Sequence, residues 1–399
     1  MLSKEARAGL RRWKNITLAA LFAGLLGSAI PLLPLQTATV EASELRIVPR
    51  PDGSPLFALH FFDAGERYGN YEDPDMPGYS PWQLSKAQKD AVTRAAALWA
   101  EVLGPGSRNT APIPITVGTY LFENADASSE PNGNPGSGDH FFPTGVQDAI
   151  INGNAPDSPG IIRIGKLDFA IQENLSPLPT VNGFNLVATL YHEIGHALGV
   201  SSLASVMDSK YLSTWDAHLR DQYGTWLRPG MSIVKPGQGT PGTDFIVGDE
   251  AQSGVTFQGE HVAEVMGAGA GLPINGYEGD DPELSHIELE HSLMSHQNYR
   301  NYTTFMEAEL AALQDMGYAI DRRNFFGFSV YGDGGTIINH NGYFARNAAG
   351  DAYLTGQANT ATLGVGLHIY GKDNDVTQAA DLLADGVAGT GIRVDGSGN

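Results

Sequence analysis

Two histidines one helical turn apart, with a glutamate beside the first, are the residues of this chain best suited to chemistry. His192, Glu193 and His196 form the pattern HExxH within the segment HEIGHALG. A helix brings residues i and i+4 onto one face, so both imidazoles can bind one Zn²⁺ while the carboxylate reaches a bound water. The sequence therefore predicts a zinc site with its own general base. The simpler alternative is a buried helix whose histidines only satisfy hydrogen bonds.

The helix that would carry these residues has an apolar face and recognisable ends. Its apolar residues recur at three- and four-residue spacings, as on a face buried against a core. They are Phe184, Val187, Leu190, Ile194, Ala197 and Leu198. Asn182 or Asn185 can cap the start, and Gly199 can adopt the left-handed conformation that ends a helix. The histidine pair lies off the apolar face, where it can meet a metal ion.

A catalytic zinc needs a third protein ligand besides a water molecule. In the signature HExxHxxGxxH the third histidine follows the glycine by three residues, but that position here is Ser202, a poor zinc ligand. Gly199 still allows the chain to turn toward a distant ligand. The segment from 285 to 296 supplies the candidates His286, His291 and His296.

These features resemble the metzincin-type zinc proteases with a remote third histidine, the leishmanolysin-like and related bacterial enzymes. Their later half commonly runs as Phe-x-Gly, an alanine-containing stretch, Gly and Pro, Ser-His, and a Leu-Met-Ser turn. This chain has, in that order, Phe257-Gln258-Gly259, Ala263, Gly271-Leu272-Pro273, Ser285-His286 and Leu293-Met294-Ser295. The resemblance covers about residues 85–320. It implies an α+β, two-lobed protease domain with an active-site helix and a mixed sheet.

The resemblance also implies roles for single residues. His286 is then the third zinc ligand, and Met294 is the methionine of the turn that packs beneath the metal. In some metzincins a tyrosine two residues past this methionine stabilises the oxyanion. That position here is His296, with Tyr299 close behind, so either could polarise the scissile carbonyl.

Other residues of the same segment offer alternative ligands. His291, three residues before Met294, could replace His286. Glu288 and Glu290 would suit a glutamate-ligand zinc enzyme, although that class calls for neither the glycine after the second histidine nor a methionine turn. Met294 could also be ordinary core filling, the usual role of a methionine.

The predicted chemistry is hydrolysis of peptide bonds in protein or peptide substrates. Zn²⁺ lowers the pKa of a bound water toward about 7, and Glu193 would take its proton and pass it to the leaving amine. The chain has no cysteine, which excludes a thiol nucleophile. The alternative function is a surface adhesin or binding module with an inactive protease-like domain, which Ser202 makes conceivable.

Flanking segments predict the elements that hold the site. Ser85-Lys86-Ala87-Gln88 is a capping box for a helix that ends at Gly104, and Thr304-Phe305-Met306-Glu307 is another for a helix that stops at Gly317. The β-branched stretches from Ile113 to Leu121 and from Ile161 to Ile171 predict strands.

The loop from Glu123 to Gly160 is rich in Gly, Asn, Pro and Asp. Carboxylates and carbonyls are the ligands that Ca²⁺ prefers. The loop could therefore hold Ca²⁺, although a solvated loop is the simpler interpretation.

The N-terminus has the composition of an export signal. Basic residues precede an apolar run from Ile16 to Leu35, and Val40-Glu41-Ala42 resembles a cleavage site. We expect residues 1–42 to be a signal peptide, 43–320 the protease domain, and the protein to be secreted or on the cell surface; a retained membrane anchor is the weaker interpretation. A net charge of -21 argues against nucleic acid as a partner.

The composition changes from about Asp321. Short apolar runs alternate there with Gly, Asn and Asp, which predicts a β-rich, β-solenoid-like segment over 321–399. This part resembles the start of a bacterial autotransporter passenger stalk, and we expect the segment to be incomplete. The resemblance implies outer-membrane export machinery as a partner and a Gram-negative cell surface as the location.

Overall fold

The computed structural model describes residues 44–72, 77–132, 141–166, 170–171, 185–204, 211–296 and 304–399. Within these ranges the helices are α1 (Lys86–Leu103), α2 (Gly145–Asn152), α3 (Leu186–Ala197), α4 (Glu260–Met266) and α5 (Glu307–Asp315). None of them combines the length and the apolarity that a membrane crossing requires. Helices and sheets occur together, so the predicted α+β class is confirmed. The predicted signal peptide lies outside the described residues.

Strands occur both before and after α5. Those before it are β1 (Glu44–Pro49), β2 (Pro55–Phe61), β3 (Arg67–Glu72), β4 (Pro77–Tyr79), β5 (Ile113–Thr119), β6 (Ala125–Ser128), β7 (Phe141–Phe142), β8 (Gly160–Ile164), β9 (Leu212–Ser213), β10 (Leu219–Arg220), β11 (Ile233–Val234), β12 (Phe245–Ile246), β13 (Thr256–Phe257), β14 (Leu272–Pro273), β15 (Tyr277–Glu278) and β16 (Asp281–Pro282). Those after it are β17 (Phe326–Val330), β18 (Thr336–Asn339), β19 (Phe344–Arg346), β20 (Tyr353–Ala358), β21 (Val365–Ile369), β22 (Asp375–Gln378) and β23 (Thr390–Val394).

The central sheet has five strands in the order β1-β2-β5-β8-β6. Strands β2, β5 and β8 run parallel, whereas β1 and β6 are antiparallel to their neighbours and form the two edges. Every residue of β8 is buried, as expected for a parallel strand covered on both faces. The prediction that this strand runs to Ile171 was wrong, because β8 ends at Ile164 and Gly165 N then donates to Asn124 O.

Helices α1 and α3 pack against the sheet and against each other. Helix α1 starts after the N-cap Ser85, which forms the predicted capping box, and ends at Leu103. The indole N–H of Trp99 on α1 donates to Tyr191 O on α3 at 2.8 Å. Its ring also lies 4.8 Å, centroid to centroid, from Phe305. The two helices and the chain before α5 thus share one buried aromatic cluster.

Helix α5 starts later than its predicted capping box. Its N-cap is Met306, whose N–H donates to Glu309 Oε2 at 2.7 Å, so the prediction of a cap at Thr304 was wrong. The hydroxyl of Thr304 instead accepts a hydrogen bond from Arg393. Gly317 has φ 100° just after the helix, which agrees with the predicted stop.

The strands after α5 pair mainly in parallel. Strands β17, β21 and β23 form one parallel sheet, and β18 pairs with β22 in parallel. Phe326 and Val365 belong to the main hydrophobic core, while Val330, Leu367 and Ile369 form a small second core. This β-rich segment therefore packs directly onto the rest of the molecule. Its solenoid character and the boundary at residue 321 stay predictions.

Candidate metal centre

Helix α3 carries the two histidines of the HExxH pattern. Asn185 caps its start by accepting from Val187 N at 2.9 Å and Ala188 N at 3.4 Å, and Gly199 follows its end with φ 100°. His192 is buried and His196 is half-buried. Their Nε2 atoms lie 3.1 Å apart and their rings cross at 85°. The helix thus places the two imidazoles one turn apart on one face, with their rings close together.

Hydrogen bonds define which nitrogen of each ring can bind a metal. His192 Nδ1 lies 2.7 Å from Leu293 O, and His196 Nδ1 lies 2.6 Å from Val200 O. Because a carbonyl oxygen only accepts, each Nδ1 carries the proton and donates it, and each Nε2 keeps its lone pair. Two nitrogens that bind one tetrahedral zinc at about 2.0–2.1 Å lie about 3.3 Å apart. The observed Nε2 separation therefore fits one shared zinc ion.

His286 is the third imidazole at this place. Its ring centroid lies 5.3 Å from that of His192 and 4.9 Å from that of His196. One ligand nitrogen from each of the three rings lies within 4.8 Å of the others. These three residues, which we call the histidine cluster, form a group that could hold a metal ion, as the sequence predicts.

Glu283 lies behind His286. Its Oε2 is 3.4 Å from His286 Nδ1, and both atoms are buried without another hydrogen-bond partner among the described residues. A carboxylate next to the outer nitrogen of a ligand histidine orients the ring and makes it a better donor. Sequence reasoning missed Glu283, although its spacing of three residues from His286 was a usable signal.

Met294 packs against Gly195, which lies between the two histidines of α3 in the sequence. It is 1% exposed, and a Cβ placed on Gly195 would come within 2.5 Å of its sulfur atom. Gly195 is therefore the residue of the HExxH helix that makes room for the methionine. The Met294 N–H donates to Glu309 Oε1 at 2.7 Å, and the neighbouring Leu293 N–H donates to Oε2 at 3.2 Å.

Glu193 is half-buried on α3 beside His192. Burial raises the pKa of the Tyr120 phenol strongly, and the charges of Asp126 and Glu193 raise it further. The charge of Glu193 therefore lies near enough to Tyr120, the residue after β5, to act on its phenol.

His296 lies next to the histidine cluster, with its ring centroid 5.8 Å from that of His286. Its Nε2 is 3.6 Å from Glu278 Oε1, and this neighbouring carboxylate raises the pKa of His296. Glu250, Glu278 and His296 form a second group that could hold a metal. No sequence pattern joins these three residues, because they come from separate stretches of the chain. Tyr299 lies outside the described residues.

The alternative ligands in this segment do not join the histidine cluster as the structure places them. His291 lies 3.6 Å from Glu290 through its Nε2 and is not part of the group formed by His192, His196 and His286. Glu290 is exposed, and both carboxylate oxygens of Glu288 are buried without a hydrogen-bond partner among the described residues.

Ser202 has a structural task at the position where the short signature has a histidine. Its hydroxyl donates to Asp216 Oδ1 at 2.5 Å, and its N–H donates to Ser285 Oγ at 2.9 Å. Asp216 is fully buried, and burial raises its pKa to about 6 against the opposing effect of the Ser202 and Ser213 hydrogen bonds. The helix exit is thereby tied to the residue before His286. Asp216 was missed because nothing in the sequence marks it.

The described residues between 123 and 160, where a Ca²⁺ site was predicted, contain no group of side chains that could hold a metal ion. Both groups that could hold a metal lie elsewhere among the described residues. The prediction of one loop from Glu123 to Gly160 was wrong, because β6, β7 and α2 lie within it. Asp148, a buried carboxylate on α2, accepts hydrogen bonds from the side-chain amides of Asn132, Asn152 and Asn154.

Comparisons with protein-family models, with curated proteins and with solved structures found no match. The donor set and its geometry are therefore what indicates a metal centre here.

Proposed function

We propose that this chain is an exported zinc-dependent metalloendopeptidase. The observation that carries the proposal is the convergence of His192, His196 and His286, with the Nδ1 protons of the helical pair already engaged by carbonyls. Three imidazoles suit Zn²⁺, and three protein ligands leave one coordination position for a water or a substrate, as in catalytic zinc sites. A zinc ion held there would supply Lewis acidity and lower the pKa of a water toward about 7.

The residues around the cluster have distinct tasks in this proposal. Glu193 takes a proton from the attacking water and later hands it to the leaving amine. His296, whose pKa is raised by Glu278, donates a hydrogen bond to the carbonyl oxygen of the substrate as negative charge develops there. Met294 fills the space under Gly195 and keeps α3 and the His286 segment in register.

The edge of the central sheet at β6 favours a peptide as the substrate. Strand β6 is an edge of the central sheet and packs beside α3. An extended peptide could pair with such an edge through its backbone, which would place a peptide bond near the helix that carries His192 and Glu193. Export rests on the predicted signal peptide at 1–42, and passage through outer-membrane machinery rests on the passenger-like segment after residue 321.

The test is cleavage of an unfolded protein substrate by the purified chain, with and without a zinc chelator. We expect chelator-sensitive cleavage by the wild type, and a rate about 10²–10⁴-fold lower in Glu193→Gln, because that change removes the base but no metal ligand. Zinc content, measured by mass spectrometry, should be the same in both proteins.

The matched control is Glu290→Gln, which alters an exposed carboxylate near the same site and should leave the rate unchanged. Equal cleavage by the wild type and Glu193→Gln would refute the mechanism. Zinc binding without cleavage by either would favour the alternative, a surface adhesin or binding module.

A further inference from the structure

Arg393 on β23 reaches from the C-terminal β segment to the chain that carries the methionine turn. Its guanidinium donates to His291 O at 3.0 Å, to Phe305 O at 3.2 Å and to Thr304 Oγ1 at 2.7 Å. One side chain therefore holds both the start of the methionine turn and the entry to α5. His291, whose carbonyl it binds, has the left-handed backbone conformation with φ 69°. A non-glycine residue keeps that conformation only where its surroundings enforce it.

Two further buried residues hold Arg393 in place. Its Nε lies 2.7 Å from Asp395 Oδ2, and His368 Nε2 lies 2.8 Å from the same oxygen. The side chains of Asp395 and His368 are completely buried. Burying a charged group is costly unless an oppositely charged or hydrogen-bonding partner is well placed beside it. The contacts among Arg393, Asp395 and His368 therefore fix the position of the guanidinium.

The segment that Arg393 holds contacts the metal ligands directly. Leu293, two residues after His291, accepts the Nδ1 proton of His192 through its carbonyl. Met294 O accepts from Ile287 N at 2.9 Å, next to His286. A shift of the turn would therefore move both the partner of one ligand and the backbone of another.

We propose that Arg393 is a positioning residue for the metal site, and that the C-terminal β segment sets the metal affinity of the histidine cluster through it. The inference rests on the proposed function in so far as the cluster is a zinc site. It goes further because it gives the C-terminal β segment a direct effect on how tightly the histidine cluster binds zinc.

The test compares Zn²⁺ and Co²⁺ affinities of metal-free variants of the full chain. We expect Arg393→Met to weaken Zn²⁺ binding about 10–100-fold, the usual effect of losing a residue that orients metal ligands, and to alter the visible absorption of bound Co²⁺. Arg393→Lys keeps the charge but not the planar fork of donors, so it should recover only part of the affinity.

Two further variants separate positioning from plain stability. Leu367→Ala removes a buried side chain from the small core of the same β segment, so it should lower stability but leave the zinc affinity of the folded protein unchanged. The double variant Arg393→Met/Asp395→Asn leaves no unpaired buried carboxylate, so it should fold even where the single variant does not, and it should still bind zinc weakly.

Equal zinc affinity in the wild type and the double variant would overturn the inference, as would an equal loss in Leu367→Ala. These results would leave the proposed peptidase intact. Conversely, a wild type that binds zinc but cuts no peptide would refute the proposed function. The ratio of zinc affinities between the wild type and the Arg393 variants would still decide the role of Arg393. A wild type that binds no zinc would overturn both.

Discussion

Helix α3 and the segment that carries His286 supply ligands to the same cluster by different means. On α3, the spacing of His192 and His196 follows from the helix itself, which Asn185 caps. His286 lies outside any helix, and the main chain around it is held by contacts from elsewhere: Asn275 N donates to His286 O at 3.0 Å, and Met294 O accepts from Ile287 N. The helix therefore sets the spacing of two ligands locally, while the ring of His192 is also oriented by the remote Leu293 carbonyl and the position of the third ligand depends wholly on tertiary structure.

This difference predicts two classes of variant. Changes at the ends of α3 alter the stability of the helix but not the distance between its two histidines, since any helix gives the same spacing. Changes to the supports of the remote segment, such as Glu309 or Arg393, alter the geometry of the third ligand. Metal affinity and stability should then respond separately in the two regions.

The largest effect should come from the remote ligand itself. We expect His286→Ala to lose most of its bound zinc, because two imidazoles alone make a weak site. His291→Ala should retain zinc close to the wild-type level, because the imidazole of His291 does not belong to the histidine cluster. Zinc content after dialysis against metal-free buffer measures both. The reverse order would assign the third ligand to His291.

The helices that lie next to the site could be predicted from the sequence. A capping box, a period of three to four residues and a terminal glycine located α1 and α3, because each signal acts within one or two turns of helix. The same local logic failed at Thr304, since tertiary contact with Arg393 recruits its hydroxyl and α5 starts at Glu307.

The third ligand His286 and the turn at Met294 could be predicted only from the family resemblance. The residues that hold them could not be predicted, because their contacts span long stretches of chain: Glu309 binds the turn at Leu293 and Met294, and Arg393 binds His291. Such pairs share no sequence pattern. They become visible only when the chain is folded.

A smaller effect should appear at Asp216, which links the two regions through Ser202. Burial raises the pKa of Asp216 to about 6 from 3.8. The folded protein then binds more protons than the unfolded chain between these values, so this contribution to stability is complete below pH 3.8 and is lost as the pH rises through about 6. Relative to Asp216→Asn, we expect the free energy of unfolding of the metal-free protein to fall by roughly 2–3 kcal/mol from about pH 4 to about pH 7.

Urea denaturation across this pH range measures the effect. Ser202→Ala is the matched variant, because the Ser202 hydroxyl lowers the pKa of Asp216 and its loss should move the transition to higher pH. An identical pH dependence in the wild type and Asp216→Asn would show that Asp216 does not titrate in this range.

The smallest effect should come from the local region. Asn185→Ala removes the side chain that accepts from Val187 N and Ala188 N at the start of α3, which should cost about 1 kcal/mol of stability. His192 and His196 lie about two and three helical turns after this cap. Their spacing and the zinc affinity of the folded protein should therefore stay as in the wild type. Urea denaturation of the metal-free protein and a zinc titration measure the two quantities. A fall in zinc affinity as large as that expected for Arg393→Met would mean that the helix does not fix its ligand pair independently of its ends.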